Sequence, residues 1–355
     1  MEDVSNSLKQ ALVRQGWLYT DRQRTGNPFQ WVDNDQTPWM NDLKGVHSAL
    51  LYLAMFYEQY PTPSEILTQD YDEMREYTEG CIRKFYEHAV PFLDSRKSGM
   101  EVNIVCTAMT RLQDYCSIST FCSDLGKSIN HLDIGPGLGS HATYSLKALS
   151  SCYYARDASP LSYSAQRQFF RYLTQGEATY LDLVDCEKFD LGETAMSEAI
   201  NDTSKYRIKH VPSWYFQLIQ DESIDLVTAS WVLNELSTAG ILWLIANAMR
   251  VLREGGYFYI RDSGELKPGR HEINYDDLLQ KMGFVEVGRL DVRNRVDFFG
   301  IPRAYQKQNS YQAISYDELF DLCLGKLAVT VFTGSYDMNL TPEGRQASEP
   351  VENPG

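Results

Sequence analysis

Residues 131–140, HLDIGPGLGS, constrain the fold of this chain more than any other segment. An apolar run of strand character leads into a turn with three glycines, and a helix is predicted directly after it. Glycine lets the backbone turn tightly and approach a ligand closely, because it carries no Cβ atom. A strand, a glycine turn and a helix in this order predict the first unit of an α/β domain.

The chain after this turn continues the same alternation of short apolar runs with helical patterns, which is typical of a parallel sheet. We therefore predict an α/β domain with a seven-stranded, mostly parallel sheet and helices on both faces. Segment 178–184 competes with 206–211 for the place of the third strand, and an extra helix is predicted near 193–201. The predicted strands are 130–134, 152–156, 206–211, 224–229 and 257–261, followed by a closing hairpin of 285–292 and 296–306.

Three regions are predicted within the 355 residues. Residues 1–125 are predicted to form a mainly helical cap or dimerisation region, with helices at 46–60, 71–89 and 101–121. Residues 126–308 form the α/β domain. Residues 309–355 form an extension whose proline-containing tail is predicted to be partly disordered.

Composition limits which classes of partner and which cellular compartment are expected for this protein. The formal net charge of −15 makes nucleic acid a poor partner, because an acidic surface repels phosphates. The seven cysteines show no CxxC pair, so free thiols in a reducing compartment are expected. Neither a signal peptide nor an apolar run long enough for a bilayer is recognisable. We therefore expect a cytoplasmic protein without a membrane partner.

Two aspartates indicate what the glycine turn binds. Asp133 immediately precedes the turn, where a carboxylate would repel a pyrophosphate but suits a ligand with a positive amino group. Asp157 follows the second predicted strand, where an acid can accept both hydroxyls of a ribose. Ser140 also stands where the dinucleotide fingerprint has its last glycine. The implied ligand has a ribose and a cation but no diphosphate, as does S-adenosylmethionine (SAM).

In these features the sequence resembles the class I SAM-dependent methyltransferases of small molecules. The resemblance covers about half of the chain, and it implies a Rossmann-like fold, SAM as cofactor and methyl transfer as the reaction. It rests on LDIGPGLGS, on Asp157, on the fourth strand with its following turn (223–237), on the fifth strand LREGGYFYIRD (252–262) and on the segment 275–287.

The resemblance also implies cofactor-binding residues. Nine positions of this chain match family positions that contact SAM. Asp133, Gly135 and Gly137 are assigned to the methionine end, Asp157 to the ribose, and Ala158 and Ser159 to the adenosine. Ser213, next to Pro212, is assigned to the adenine, and Ser230 and Trp231 to the surroundings of the sulfonium.

Methyl transfer is an in-line displacement, so the protein mainly aligns the nucleophile with the methyl group. A hydroxyl acceptor also needs a base. His271 is our first choice, and Glu235 and Asp262 are further candidates. Related O-methyltransferases often carry a histidine near position 234, where this chain has Asn234. Acidic residues near His271 could offer metal ligands, but their spacing matches no known metal pattern, so no metal is predicted.

The leading hypothesis is transfer to an oxygen of a small metabolite or sugar, with a homodimer possible. Transfer to a small amine and an inactive SAM-binding regulatory module remain alternatives. An NAD(P)-dependent oxidoreductase is a further class, although the turn spacing and Asp133 disfavour it.

Overall fold

The computed structural model describes residues 72–89, 97–126, 128–157, 160–175, 179–188, 192–233, 238–262, 275–290 and 301–308. One eight-stranded sheet organises them, in the order β3-β4-β2-β1-β5-β6-β8-β7. The first six strands in this order pair in parallel, while β8 pairs antiparallel with both β6 and β7. The strands are β1 Ile129–Ile134, β2 Ser150–Asp157, β3 Tyr180–Asp182, β4 Ile208–Pro212, β5 Ile224–Ser230, β6 Leu252–Asp262, β7 Phe284–Arg289 and β8 Ile301–Lys307.

Eight α-helices accompany the strands in the described ranges. A π-helical turn, Ser145–Leu149, continues the short helix α3, and a 3₁₀ helix, Ser213–Leu218, follows β4. The helices are α1 Asp72–Ala89, α2 Lys97–Phe121, α3 His141–Tyr144, α4 Pro160–Leu173, α5 Leu183–Lys188, α6 Glu193–Asn201, α7 Thr238–Val251 and α8 Tyr275–Lys281.

Alternation along the strands divides the core between the two faces of the sheet, because successive strand side chains point to opposite sides. On one face, Leu132 and Ile134 of β1 belong to a buried cluster that includes residues of α6, α7 and α8. On the other face, Tyr153 and Ala155 of β2 pack with residues of α1, α2 and α4. Burial of each large apolar side chain contributes about 1.5–3 kcal/mol, so both layers are needed for stability.

The predicted α/β architecture with helices on both faces is confirmed, but the predicted number of strands is wrong. Segments 178–184 and 206–211 do not compete for one place, since they contain β3 and β4 side by side. β3 is only three residues long, too short for a recognisable alternation. The predicted helix at 193–201 is confirmed. The antiparallel pairing of the two last strands is confirmed as β7 and β8, while their predicted turn at 293–295 lies outside the described residues.

The helices predicted at 71–89 and 101–121 are confirmed as α1 and α2. The helix predicted at 46–60 and the extension at 309–355 lie outside the described residues. The boundary near residue 125 remains a prediction; α1 and α2, on its N-terminal side, pack against the sheet. Within the described ranges, no helix combines the length and apolar character that a membrane crossing requires.

Strand order also indicates where a ligand binds. β1 lies between β2 and β5. After β1 the chain therefore builds the sheet towards one edge with β2, β3 and β4, and it later returns to the other side of β1 with β5. Open α/β sheets bind ligands in the crevice beyond the carboxyl ends of the strands at such a switch point. The glycine turn after β1 lies at this position.

Candidate functional site

The turn after β1 has a backbone that requires glycine. Gly135 has φ = 61°, and a Cβ atom there would come within 2.5 Å of Val232 Cγ2. Gly139 has φ = 84°, and a Cβ atom would come within 2.6 Å of the Phe170 ring. L-residues with side chains rarely adopt these φ values. Gly135 and Gly137 are partly exposed, so a ligand can approach the turn directly.

Asp133, predicted to face the methionine end of the cofactor, is fully buried behind the turn. Its Oδ1 accepts a hydrogen bond of 2.7 Å from Thr228 Oγ1, and its Oδ2 accepts bonds of 2.6 Å from Tyr153 and from His141 Nδ1. Burial alone would raise the pKa of this carboxyl, but His141, together with His131 and the Tyr153 hydroxyl, lowers the pKa below its usual range. Asp133 therefore supplies a fixed negative charge beneath the turn.

His141 joins Asp133 to a second buried carboxylate, Asp114 of α2. The His141 Nε2 atom lies 2.8 Å from Asp114 Oδ2, and both side chains are buried. The imidazole thus bridges the two carboxylates, with one ring nitrogen against each. Helix α2 is thereby connected to the end of β1.

Asp114 also connects α2 to the carboxyl ends of β5 and β6. Its carboxylate accepts from both Tyr259 Oη at 2.7 Å and Arg261 Nη2 at 3.0 Å, and Ser230 Oγ lies 3.4 Å away. Burial alone would raise the Asp114 pKa, but Arg261 and then His141 hold it far below its usual range. Charges that are fully buried and paired in this way fix the position of α2 beside the crevice.

Arg111, one turn before Asp114 on α2, lies next to the glycine turn. Its Nε donates to Ser140 Oγ at 3.2 Å. The atom nearest to a Cβ built on Gly137 is Arg111 Nη2, at 3.9 Å. A ligand that reaches Gly137 therefore meets a guanidinium, which suits a carboxylate.

The predicted ribose acid, Asp157, ends β2 and is 6% exposed. Gln166 Nε2 of α4 donates to Asp157 Oδ2 at 2.6 Å and to the Gly137 carbonyl oxygen at 2.7 Å. One amide nitrogen thus holds the turn and the acid together. The two predicted binding elements therefore lie within hydrogen-bond reach of one side chain.

The remaining described cofactor positions follow β4 and β5. Ser213 is fully buried, and its hydroxyl has no hydrogen-bond partner in the described part of the chain. Ser230 ends β5, and Trp231 follows with φ = 62°, a left-handed conformation that is strained for a bulky residue. Such strain persists only where the surroundings enforce it, and it is concentrated at functional sites.

Four predicted site residues, Ala158, Ser159, Glu235 and His271, lie outside the described residues. Asp262 is the last residue of β6. Among the residues that are described, no group of three His, Cys, Asp or Glu side chains is arranged to hold a metal.

Sequence reasoning missed the charged and amide groups that surround the turn. Arg111 and Asp114, three residues apart, are the only charged residues in segment 102–121 of the sequence, which was the available signal. The others gave none, because their partners lie on separate helices and strands that meet only when the elements pack together. The missed residues are Arg111, Asp114, His141, Gln166 and Arg261.

Comparisons with known proteins give a likeness of structure without one of sequence. No protein-family model and no curated protein sequence matches this chain. A phosphoethanolamine N-methyltransferase from Haemonchus contortus, solved with phosphoethanolamine and S-adenosylhomocysteine, is 15% identical with a TM-score of 0.36. That match covers 75% of this chain but only 57% of the Haemonchus protein.

Two further solved structures match at similar levels. The 1,6-didemethyltoxoflavin-N1-methyltransferase of Burkholderia thailandensis is 14% identical over 70% of this chain and 94% of its own, with a TM-score of 0.36. The magnesium protoporphyrin IX methyltransferase of Synechocystis, solved with SAM, is 12% identical over 69% of this chain and 100% of its own, with a TM-score of 0.39. At these levels of similarity, function has to be inferred from the residues of the site.

Proposed function

We propose that this chain is a SAM-dependent methyltransferase that transfers the methyl group to an oxygen of a small metabolite or sugar. The observation that carries the proposal is the shared contact of Gly137 and Asp157 with Gln166 Nε2, at 2.7 and 2.6 Å. It supports a single ligand that reaches from the glycine turn to the acid at the end of β2.

The groups around the crevice fit the parts of SAM. Asp157 would accept the ribose hydroxyls, and the partnerless Ser213 hydroxyl would meet the adenine. The Arg111 guanidinium beside Gly137 would pair with the amino-acid carboxylate. A pyrophosphate would instead approach the buried negative charge of Asp133, which favours SAM over a dinucleotide.

The remaining cofactor residues keep the roles that the resemblance implies. Asp133 would act on the cofactor's ammonium group through its charge, since its carboxylate oxygens already accept three hydrogen bonds. Gly135 would let the methionine end lie close to the backbone. Ser230 and Trp231 would border the sulfonium, and Ala158 and Ser159 would lie near the adenosine.

SAM supplies a methyl group bonded to a positively charged sulfur. When the methyl group is transferred, the sulfur leaves as a neutral thioether. The chain's task is to hold the acceptor in line and to exclude water. We propose His271 as the base that takes the proton of a hydroxyl acceptor, with Glu235 and Asp262 as the other candidates. Residues 1–125 would cover the mouth of the crevice or form a homodimer interface.

Calorimetry with S-adenosylhomocysteine tests the proposal. The unaltered chain should bind S-adenosylhomocysteine and should not bind NADH. Asp157→Ala should weaken the affinity at least tenfold, because charge-assisted hydrogen bonds to the ribose are lost. Glu222→Ala, an exposed acid remote from the turn, is the matched control and should bind as the unaltered chain does.

Turnover separates the acceptor classes. Release of S-adenosylhomocysteine with hydroxyl-bearing metabolites supports the proposed oxygen acceptor. Release only with amines would transfer the assignment to N-methylation. Tight binding without release for any acceptor would indicate a regulatory module, and binding of NADH in place of S-adenosylhomocysteine would refute the whole assignment.

A further inference from the structure

A chain of buried side chains leads from the ribose acid to the edge of the sheet. We propose that Tyr180 of β3, His210 and Gln166 form a hydrogen-bonded relay that ends at the Asp157 carboxylate. In this relay Gln166 and His210 are positioning residues, which hold the carboxylate in the orientation that accepts the ribose hydroxyls. The inference rests on the proposed function, because the ribose is that of SAM. It also gives the edge strand β3 a role in ligand recognition.

The orientation of the Gln166 amide follows from its neighbours. Its nitrogen lies within hydrogen-bond distance of Asp157 Oδ2 and of the Gly137 carbonyl, and both atoms are acceptors only. The amide oxygen therefore points the other way, to His210 Nε2 at 2.9 Å. Gln166 and His210 are fully buried, so water does not compete for these bonds.

The Gln166 oxygen determines the tautomer of His210. Because that oxygen accepts, His210 Nε2 has to carry the hydrogen. Burial, with Arg167 as the next contribution, lowers the pKa of His210 well below its ordinary value, so the ring is neutral and Nδ1 is an acceptor. The ring stacks on Tyr163 with centroids 3.5 Å apart and planes at 11°, which fixes its plane.

Tyr180 of β3 supplies the donor for His210 Nδ1. Its hydroxyl lies 3.1 Å from Nδ1 and 3.2 Å from Asp182 Oδ2. Asp182 Oδ2 is already paired with the Arg167 guanidinium, whose Nε lies 3.0 Å away, while Oδ1 accepts from the Tyr163 hydroxyl and the Val184 amide. Among the described residues His210 Nδ1 has no other donor, so the Tyr180 proton is assigned to it.

The edge strand β3 brings Tyr180 into reach of this relay. Its residue Asp182 pairs with His210 of β4 in the parallel register, and Tyr180 pairs with Ile208. Hydrogen bonds thus run from Tyr180 through His210 and Gln166 to one oxygen of Asp157. The carboxylate is oriented before the ribose arrives, which reduces the entropy lost on binding.

The test compares S-adenosylhomocysteine with its 3′-deoxyribose analogue by calorimetry. The unaltered chain should prefer the hydroxylated ligand at least tenfold. In Gln166→Leu that preference should fall below threefold, because the acid is no longer held in position. Gln306→Leu, which removes a glutamine with two hydrogen bonds on β8, is the control and should keep the preference.

Variants of His210 separate positioning from folding. His210→Phe keeps a ring against Tyr163 but loses the donor, so the preference should fall as in Gln166→Leu. His210→Gln can donate to Gln166 again. On a logarithmic scale, it should restore at least half of the affinity ratio between the two ligands that His210→Phe loses. Circular dichroism of each variant confirms that it is folded.

A spectroscopic measurement checks the relay without any substitution at Gln166. In the ¹⁵N-histidine spectrum, the resonance that disappears in His210→Gln should show a protonated Nε2 and a bare Nδ1. A protonated Nδ1 would overturn the relay, as would an equal loss of affinity for both ligands in Gln166→Leu. If the unaltered chain binds neither ligand, the proposed function itself fails. If it binds both ligands equally, SAM binding stands, but the role of Asp157 in binding the ribose and the relay are both wrong.

Discussion

The carboxylate of Asp114 on α2 and the guanidinium of Arg261 at the end of β6 form an ion pair in which both side chains are fully buried. The two residues are 147 positions apart in sequence. Through this pair, a helix that precedes the first strand is fixed beside the crevice where β5 and β6 end. The position of α2 in turn determines where Arg111 meets the glycine turn.

Removal of one partner of this pair should destabilise the fold strongly. Arg261→Met leaves the Asp114 charge buried without its guanidinium, which costs about 3–5 kcal/mol in comparable pairs. Urea unfolding at pH 7 measures the loss. Glu73→Gln breaks the exposed bond to Lys147 and should leave the unfolding midpoint unchanged. Equal midpoints for Arg261→Met and the unaltered chain would show that α2 is held by other contacts.

Stability should decrease as the pH falls below neutrality, partly because of His131. Burial lowers the pKa of His131 to about 3, against an unfolded value of about 6.5. Between these values the unfolded chain binds the additional proton, so the free energy of unfolding falls as the pH falls. For this residue the loss from pH 7 to pH 5 is about 2 kcal/mol.

His131→Gln should reduce this pH dependence while keeping polar atoms near Thr228 and Ser145. Urea unfolding of both proteins at pH 7 and pH 5 measures the difference. The carboxyls of Asp114 and Asp133, whose pKa values are lowered, add a further loss only below about pH 5. An unchanged difference between pH 7 and pH 5 in His131→Gln would mean that another group carries the proton uptake.

Gly135→Ala should destabilise the turn and abolish cofactor binding. The new methyl group would need φ = 61° and would overlap Val232 Cγ2 at 2.5 Å. The left-handed conformation alone costs about 1–2 kcal/mol. Gly80→Ala is the matched control, because no atom of the described residues lies within 4 Å of a Cβ there and alanine favours the helix interior. Thermal unfolding should show a lower midpoint for Gly135→Ala and a slightly higher one for Gly80→Ala.

Ser213→Ala should separate stability from affinity. The buried hydroxyl has no hydrogen-bond partner among the described residues, so its removal should raise the free energy of unfolding by about 1 kcal/mol. If the hydroxyl meets the adenine, the same variant should bind S-adenosylhomocysteine about five- to tenfold more weakly. Ser223→Ala removes a hydroxyl that donates to the Gln220 carbonyl and should leave affinity unchanged. Unchanged affinity in Ser213→Ala would remove this residue from the site.

Local patterns in the sequence predicted the parts of the fold that local chemistry decides. The glycine turn requires positive φ at Gly135 and Gly139, and no other residue type accepts both the conformation and the contacts. The helix at Glu193–Asn201 and the strands β1 and β2 have an apolar pattern that is long enough to recognise. β3 has three residues and carries no such signal.

Pairings between remote segments determine the parts that the sequence could not predict. Arg261, whose neighbour Asp262 remains a candidate base, gave no sequence signal of its buried ion pair with Asp114. Gln166 looks like any polar residue of an amphipathic helix until α4 is packed beside β2 and the turn. Tertiary packing, rather than residue type, gives these side chains their partners.

Arg111 should determine how tightly the amino-acid carboxylate of the cofactor is held. The informative ligand is decarboxylated S-adenosylhomocysteine, which differs only by that carboxylate. The unaltered chain should prefer S-adenosylhomocysteine over it by about 10- to 100-fold, because a guanidinium–carboxylate pair is charge-assisted. Arg111→Met should lose this preference and leave affinity for the decarboxylated ligand unchanged, while Arg111→Lys should keep part of it. If Arg111→Met weakens both ligands equally, Arg111 acts only by positioning Ser140 and His141, with which it is in contact.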